Sequence, residues 1–388
     1  MRDNSLNILL IASWYPSMED PTSGSFVQEQ AHMLRDFGHQ ITVIHPFMLG
    51  TFSNSIAKRS YQTFSIEDDI RVLRVGVAPP LPFFRSNSYA YCFHRVLKAM
   101  KKVQLNPQEF TIIHSHAAFM GGYVAMRLYQ NVGIPFIHTE HASGLLFNPN
   151  QYTSTDKRLL QSIYSSARNV LFVSHFSLNN TIDILKITDS SRFSVVPNLI
   201  KADFFKESLN RGSKPTNFLM VGDFIPVKNH ELLLRAWKAV QTKYTDIKLT
   251  LIGDCIDEIE LAKRFPELNF GLITIIPRLG RQALFELMKS HDVILSSSLV
   301  ETFGLSIAES QALGIPAVVT NSGGVTDIIS PETGIVTEPN VEAFGKGIFQ
   351  MIDTFDSFDA SRIRQLAMDR FSPPVIMQQL NAIYSKVF

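Results

Sequence analysis

The chain has 388 residues, 45% hydrophobic and 18% charged, a balance that suits a globular protein of about two to three domains able to bury sizeable cores. Lys and Arg total 36 against 35 acidic residues, so no global field draws the chain to nucleic acid. Cys92 and Cys255 lie far apart, which argues against a disulfide framework or a Cys-based metal site and fits a reducing cytoplasm, and no apolar run reaches the length of a membrane span.

Asn7 to Ala12, NILLIA, reads as a buried parallel strand, and SWYPSMEDPTSGSFVQEQAHML leads from it through a loop into an amphipathic helix. Gly24 and Ser25 stand just before Phe26, where small residues at a strand's carboxyl end let backbone approach a ligand closely. Gly38 to Ile44 reads as a helix-ending glycine and a second strand. FSIEDDIRVLRVGV suggests a short hairpin or edge strand ahead of the Pro-rich PPLPFF. A helix from Tyr89 to Gln104 carries His94, Arg95, Lys98, Lys101 and Lys102 beside Phe83, Phe84 and Phe93. This cluster is either a solvated face or a contact for an anionic membrane surface or a lipid-diphosphate acceptor.

Thr111 to Ile113 forms a strand that brings His114 and His116 to its carboxyl end, ahead of Gly121 and Gly122 and a helix, so His116 is expected to face a ligand cleft. Pro135 to Ile137 repeats the pattern and ends at His138, Glu140 and His141; period-two alternation puts His138 and Glu140 on one side, Thr139 and His141 on the other. A metal site from His116, Glu140 and His141 lacks compact ligand spacing, and none is expected. A helix around Lys157 to Ser166, the strand in NVLFVS and a last strand at Val195 to Asn198 complete the first half, and Lys201 to Lys214 reads as a linker.

The second half opens with a strand at Phe218 to Val221, and Lys228 lies in the loop before the next helix, where a compact positive charge can meet a diphosphate. Strands follow at Ile247 to Asp254 and Asn269 to Ile276. DVILSSSLVETFGLSIAE, Asp292 to Glu309, then runs strand, loop, helix. Glu301 sits in its loop, Gly304 allows a tight turn, and the helix from Leu305 or Ser306 points its first N–H groups back at the loop as an anion cradle. Glu309 lies about one turn further on. Two carboxylates flanking such a cradle would repel phosphate but accept hydrogen bonds from sugar and ribose hydroxyls, which suits a nucleotide sugar. GIPAVVTNSGG adds a strand and the pair Gly323-Gly324, and FSPPVIMQQLNAIYSKVF reads as a final helix.

Taken with SGGVTDII, the Asp292 to Glu309 stretch resembles the E-x7-E signature of the retaining family-4 glycosyltransferases, and the SWYPS…GSFV start, HTEH and VPN look most like the family's bacterial surface-polysaccharide enzymes, the teichuronic-acid type included. The resemblance implies an α/β GT-B fold of two facing Rossmann-like domains with a donor/acceptor cleft between them. Their expected bounds are 1–200 for the acceptor side, a linker at 201–214, 215–370 for the nucleotide sugar, and a helix at 371–388 crossing back. It implies retaining transfer from a nucleotide-diphosphate sugar, UDP-sugar favoured and GDP-sugar the alternative, to a glycan or lipid-linked acceptor, without a required metal. The setting implied is cytoplasmic, with peripheral contact at an anionic membrane.

The roles implied are ribose for Glu309, sugar hydroxyls for Glu301, and diphosphate for Lys228 and the helix start at Phe303, Gly304, Leu305 and Ser306. Gly24 and Ser25 would face the donor phosphates, Arg278 and Leu279 would flank the base, and His141 would contact the donor sugar, with His116 and Glu140 on the acceptor side. Two departures stand out. Asp223 occupies a position where the family usually has Arg, leaving one phosphate cation to be supplied by Arg278 or Arg281, and Asp327 stands where Glu is common. The rivals are a sugar-nucleotide epimerase or phosphorylase of the same architecture, or a non-catalytic nucleotide-sugar-binding partner subunit.

Overall fold

The computed structural model describes residues 5–18, 20–48, 61–77, 85–206, 212–254 and 257–387. The PPLPFF stretch with Phe83 and Phe84, part of the expected linker, and Cys255 lie outside them. The chain falls into two compact units, the first formed by Met1–Val173, Leu178–Val196 and Met377–Phe388, the second by Ser174–Ser177 and Pro197–Ile376.

The first unit carries β1 (Asn7–Ala12), β2 (Gln40–Met48), β3 (Gln62–Glu67), β4 (Ile70–Val77), β5 (Ile112–His116), β6 (Phe136–Glu140), β7 (Val170–Phe172) and β8 (Phe193–Val195). They form one sheet in the order β3-β4-β2-β1-β5-β6-β7-β8. Only β3 runs antiparallel, as the hairpin partner of β4 at the sheet's edge. The second unit carries β9 (Asn217–Val221), β10 (Lys248–Ile252), β11 (Ile273–Ile276), β12 (Val293–Ser296), β13 (Ala317–Thr320) and β14 (Gly334–Thr337), all parallel, in the order β11-β10-β9-β12-β13-β14. Both sheets are doubly wound: the chain steps outward from a central strand, then returns to that strand's other side and winds the opposite way. The reversal falls between β1 and β5 in the first sheet and between β9 and β12 in the second. Loops leaving the carboxyl ends of those strands diverge there and leave the crevice in which open α/β sheets bind ligands.

Apolar runs without alternation produce these central strands because helices cover both faces. Ile8 to Ala12 in β1 are fully buried, and the second core packs Phe218 of β9 edge-on against Trp237, ring centroids 5.3 Å apart. Several expected elements change length. β5 and β6 run on through His116 and Glu140, so these residues are strand residues. The strand expected at Val195 to Asn198 instead ends at Val195, ahead of Pro197, which has no N–H to give a ladder. The first part of Asn269 to Ile276 is a 3-10 turn, Phe270–Leu272, closed by the Asn269 side chain accepting from Gly271 N–H.

The second unit takes in residues ahead of the expected linker: a 3-10 turn at Ala202–Phe205 brings Phe204 onto Phe285, centroids 4.8 Å apart. The last helix, Pro373–Tyr384, divides between the units after Ile376. Among the described residues, no helix is long and apolar enough to cross a membrane.

Candidate active site

The switch point of the second sheet is assembled by hydroxyl groups. β12 ends in Ser296, and the next serine, Ser297, donates to the carbonyls of Lys228 at 3.1 Å and Asn229 at 3.0 Å, while Leu299 N–H donates to Val227 at 2.8 Å. These bonds tie the loop after β9 to the loop after β12. Thr320, at the end of β13, donates to Ser298 carbonyl at 2.6 Å, and Glu301 exchanges backbone bonds with Ser322 and Gly324. Three loops from three adjacent strands are thereby locked together. Lys228 and Glu301 consequently meet as an ion pair, with side chains 26% and 15% exposed, and Ser298 Oγ donates to the same carboxylate at 2.8 Å.

Gly304 caps the helix Leu305–Ala312 in a left-handed conformation, φ 96°, and a Cβ there would come within 2.5 Å of Val325. Only glycine suits that turn, which aims the N–H groups of Leu305 and Ser306 outward from the helix start. The Phe303 ring is buried and packs edge-on against Phe371, centroids 5.6 Å apart, which leaves its backbone for the expected contact at the helix start. Glu309, one turn in, is 1% exposed and ion-paired with Arg281, the first residue of the helix Arg281–Met288.

Asp223, Asp254 and Arg278 follow β9, β10 and β11 and form a second charged group. Arg278 pairs with Asp223 and reaches Asp254 Oδ2 at 3.3 Å, and Asp254 N–H donates to Asp223 at 3.0 Å. Burial alone would raise the Asp223 carboxyl, but that N–H and the Arg278 guanidinium outweigh it and hold the group below its ordinary range. Arg278 and Arg281, either of which was expected to supply the missing phosphate cation, are each found in an ion pair. Both guanidiniums already hold carboxylates, and one Arg against two Asp leaves the first group net negative. Lys228 stands at the β9–β12 crevice, paired with Glu301. Leu279 follows Arg278 and is half-buried. Asp327 accepts from His175 N–H at 2.6 Å, so it ties down Ser174–Ser177, which belong to this unit.

The switch point of the first sheet is stitched in the same way and holds different chemistry. Ser13, just past β1, donates to Ala117 carbonyl at 2.9 Å and accepts from Gly121 N–H at 2.9 Å. Gly24 opens the helix Ser25–Asp36 with φ 65°, and a Cβ on it would fall 2.2 Å from Trp14 carbonyl oxygen, so its backbone is packed against the loop that leaves β1; Ser25 is buried beside it.

At the carboxyl ends of β5 and β6, His116 Nδ1 lies 3.0 Å from His141 Nε2, and the Phe26 ring covers His141 with centroids 4.5 Å apart. His114 stacks on His116 at 4.4 Å and is held by Tyr384 hydroxyl at 2.8 Å and Thr139 Oγ1 at 2.7 Å. Burial pushes His114 and His141 down to about 3 and His116 well below its ordinary value, so the stack is neutral at pH 7. Glu140 turns away from this pair. It accepts from Tyr164 hydroxyl at 2.9 Å and from the N–H groups of His141 and Ala142, with His138 Nε2 at 3.4 Å. Burial raises its carboxyl, and His138 leads the contacts that reverse the shift and keep it charged. The three residues weighed for a metal therefore do not converge, and among the described residues no group of three or more His, Cys, Asp or Glu is arranged to hold an ion.

The alternation His114-His116 is visible in sequence, whereas Tyr384, 270 positions from His114, carries no signal of its contact. Ser298, Asp254 and Phe26 likewise join the sites only through the fold.

Residues 23–204 match the family model described as Glycosyltransferase Family 4, and residues 201–357 the model described as Glycosyl transferases group 1. A putative teichuronic acid biosynthesis glycosyltransferase of Bacillus subtilis is 24% identical over 349 residues, 86% of each chain. Among solved structures, a sucrose-phosphate synthase from Thermosynechococcus elongatus superposes with a TM-score of 0.76 at 17% identity, covering 98% of this chain and 99% of the other. An Anabaena protein solved with UDP and glucose gives 0.72 at 17% identity, covering 98% and 100%. Two family models that together run from residue 23 to residue 357, on two doubly wound sheets, lead to one conclusion: the chain belongs to the family-4 glycosyltransferases, enzymes of GT-B fold.

Proposed function

We propose that the protein transfers a sugar, with retention of anomeric configuration, from a nucleotide-diphosphate sugar to a glycan or lipid-linked glycan in bacterial surface-polysaccharide synthesis. The observation that carries the reading is the Lys228–Glu301 pair beside the helix start at Gly304, at the second sheet's switch point. The ammonium and the N–H groups of Leu305 and Ser306 bind the diphosphate and stabilise the charge that grows on it as its bond to the anomeric carbon breaks. The acceptor oxygen bonds to that carbon, and its proton leaves to the departing phosphate.

Glu301 accepts from sugar hydroxyls and Glu309 from ribose, Arg278 and Leu279 flank the base, and Gly24 and Ser25 face the phosphates. His141 meets the donor sugar, and His116 and Glu140 stand on the acceptor side. UDP-sugar is favoured over GDP-sugar because proteins of similar fold were solved with UDP and with UDP-glucose. The teichuronic acid enzyme supports the polysaccharide setting. The exposed side chains of His94, Lys98, Lys101 and Lys102 on the helix Arg85–Lys102 support peripheral contact with an anionic membrane from the cytoplasmic side.

A panel of UDP-, GDP- and ADP-sugars screened by thermal shift, followed by turnover with membrane extract as acceptor, tests the proposal. Saturable stabilisation by one nucleotide class, lost in Lys228→Ala and accompanied by turnover, is expected. Absence of stabilisation by every donor would refute the site.

A further inference from the structure

β4 carries a guanidinium among apolar side chains. Arg74 stands between Leu73 and Val75, both fully buried, and is itself only 9% exposed. Burying such a charge is costly unless its partners are in place, and here they are unambiguous, because a guanidinium only donates and a carbonyl or carboxylate only accepts. Nε and Nη2 donate to the Pro16 carbonyl at 3.2 and 2.6 Å. Nη1 and Nη2 also donate to the two carboxylate oxygens of Glu67 on the edge strand β3, and the guanidinium lies over the Tyr15 ring, 5.7 Å from its centroid.

What these bonds hold is the loop that leaves β1. His45, paired with Arg74 across β2 and β4, donates from Nδ1 to the Ala12 carbonyl at 2.9 Å, and Ser13 N–H donates to the His116 carbonyl at 3.1 Å. Trp14 lies between these ties and Pro16. Its side chain is 39% exposed, while its carbonyl oxygen is the atom against which Gly24 packs. A Cβ on Gly24 would also fall 2.7 Å from Tyr15 N, so the start of the helix Ser25–Asp36 has no slack against residues 14 and 15. Displacing Pro16 would therefore displace Gly24 and Ser25.

We infer that Arg74 is a positioning residue: its N–H groups on the Pro16 carbonyl fix the loop leaving β1 and, through Trp14 and Tyr15, the helix start at Gly24 and Ser25. Glu67 orients the guanidinium and offsets its charge. Only the planar fork of Arg reaches the carbonyl and both carboxylate oxygens at once. The inference rests on the reading that Gly24 and Ser25 face the donor phosphates.

The test compares full-length Arg74→Met with Arg74→Met/Glu67→Gln. Both remove the donors of the Pro16 carbonyl, but only the single variant keeps the Glu67 charge after its cation has gone. Arg74→Met should melt at a lower temperature, and the double variant should regain most of that loss. Donor kcat/KM should instead fall about tenfold in both, the effect of a misplacement under about 1 Å. Acrylamide quenching of tryptophan fluorescence reads the loop directly, because Trp14 is 39% exposed and Trp237, the second tryptophan, is fully buried. Quenching should rise in both variants. Recovery of kcat/KM together with stability in the double variant, or quenching that stays unchanged, overturns the inference. If Arg74→Met does not fold, the double variant carries the comparison with the unsubstituted enzyme. Absence of stabilisation of the unsubstituted enzyme by every nucleotide sugar would instead refute the donor site, and quenching would then decide the hold of Arg74 on the loop alone.

Discussion

Glu301 and a donor diphosphate would compete for the same ammonium, and that competition yields opposite effects from two substitutions. The Lys228 and Glu301 side chains are 26% and 15% exposed, so their pair lies between exposed pairs, contributing about 0–1 kcal/mol, and buried ones whose disruption costs about 3–5 kcal/mol. A value of roughly 1 to 1.5 kcal/mol follows for what the pair withholds from an incoming anion. Glu301→Gln preserves shape and still accepts from Ser298, but gives up the charge. It should tighten UDP by up to about tenfold while lowering kcat, since a neutral amide holds sugar hydroxyls less strongly than a carboxylate. Lys228→Met removes charge-assisted bonds of about 1.5–3 kcal/mol and should weaken UDP by roughly 10- to 150-fold. Titration calorimetry at one fixed ionic strength reads both, alongside donor turnover. If Glu301→Gln weakened UDP as Lys228→Met does, the carboxylate would be preparing the lysine for the anion and the competition argument would be wrong.

Arg281→Met removes the ion-pair partner of the 1%-exposed Glu309 carboxylate and should cost the second unit about 3 kcal/mol, with most of it regained in Arg281→Met/Glu309→Gln. Urea unfolding followed through buried Trp237 in a Trp14→Phe background measures it, and equal loss in single and double variants would exclude an ion-pair cause. Arg278→Ala leaves Asp223 and Asp254 without their shared cation, so donor KM should rise about tenfold, more steeply at low salt. An unchanged KM would place that cluster away from the donor.

Acid should destabilise the fold through its buried histidines. Their folded values lie below the unfolded 6.5, with His45 at about 4 and His114 and His141 at about 3, so between these limits only the unfolded chain takes up their protons. Stability is unaffected by them above about pH 6.5 and falls below it by up to about 1.4 kcal/mol per pH unit for each group. Melting temperatures at pH 7.5, 6 and 5 should decline in that order, and a flat series would contradict the burial of these rings.

Periodicity and turn chemistry made most of the fold legible, because both sheets rest on uninterrupted apolar strands such as Ile8 to Ala12 and Val293 to Leu295, and because Gly304 before a helix leaves few backbone alternatives. Family motifs supplied the positions of Lys228, Glu301 and Glu309. Their partners were hidden for a physical reason. Arg281 meets Glu309, Arg278 meets Asp223, and Tyr384 meets His114 only after strands distant in sequence have been laid side by side, and none of these contacts leaves a spacing rule behind. Asp223 shows the consequence: read alone it is a missing cation, whereas in the fold it is one half of a charge pair.

The two switch points share a winding and a serine-stitched construction but differ in what they can bind. At β1–β5 the buried histidines are neutral and offer only hydrogen bonds, so an anion would gain little there and would have to be desolvated. At β9–β12 an ammonium stands beside a helix terminus, which favours negative charge. Under the proposed reading the charge of the diphosphate is therefore met mainly by Lys228 and the helix terminus of the second unit. This division also explains how Asp223 can be tolerated. Asp223 is paired with Arg278, whereas Glu301 is the carboxylate that pairs with Lys228 itself, the charge whose removal should strengthen nucleotide binding and weaken catalysis together.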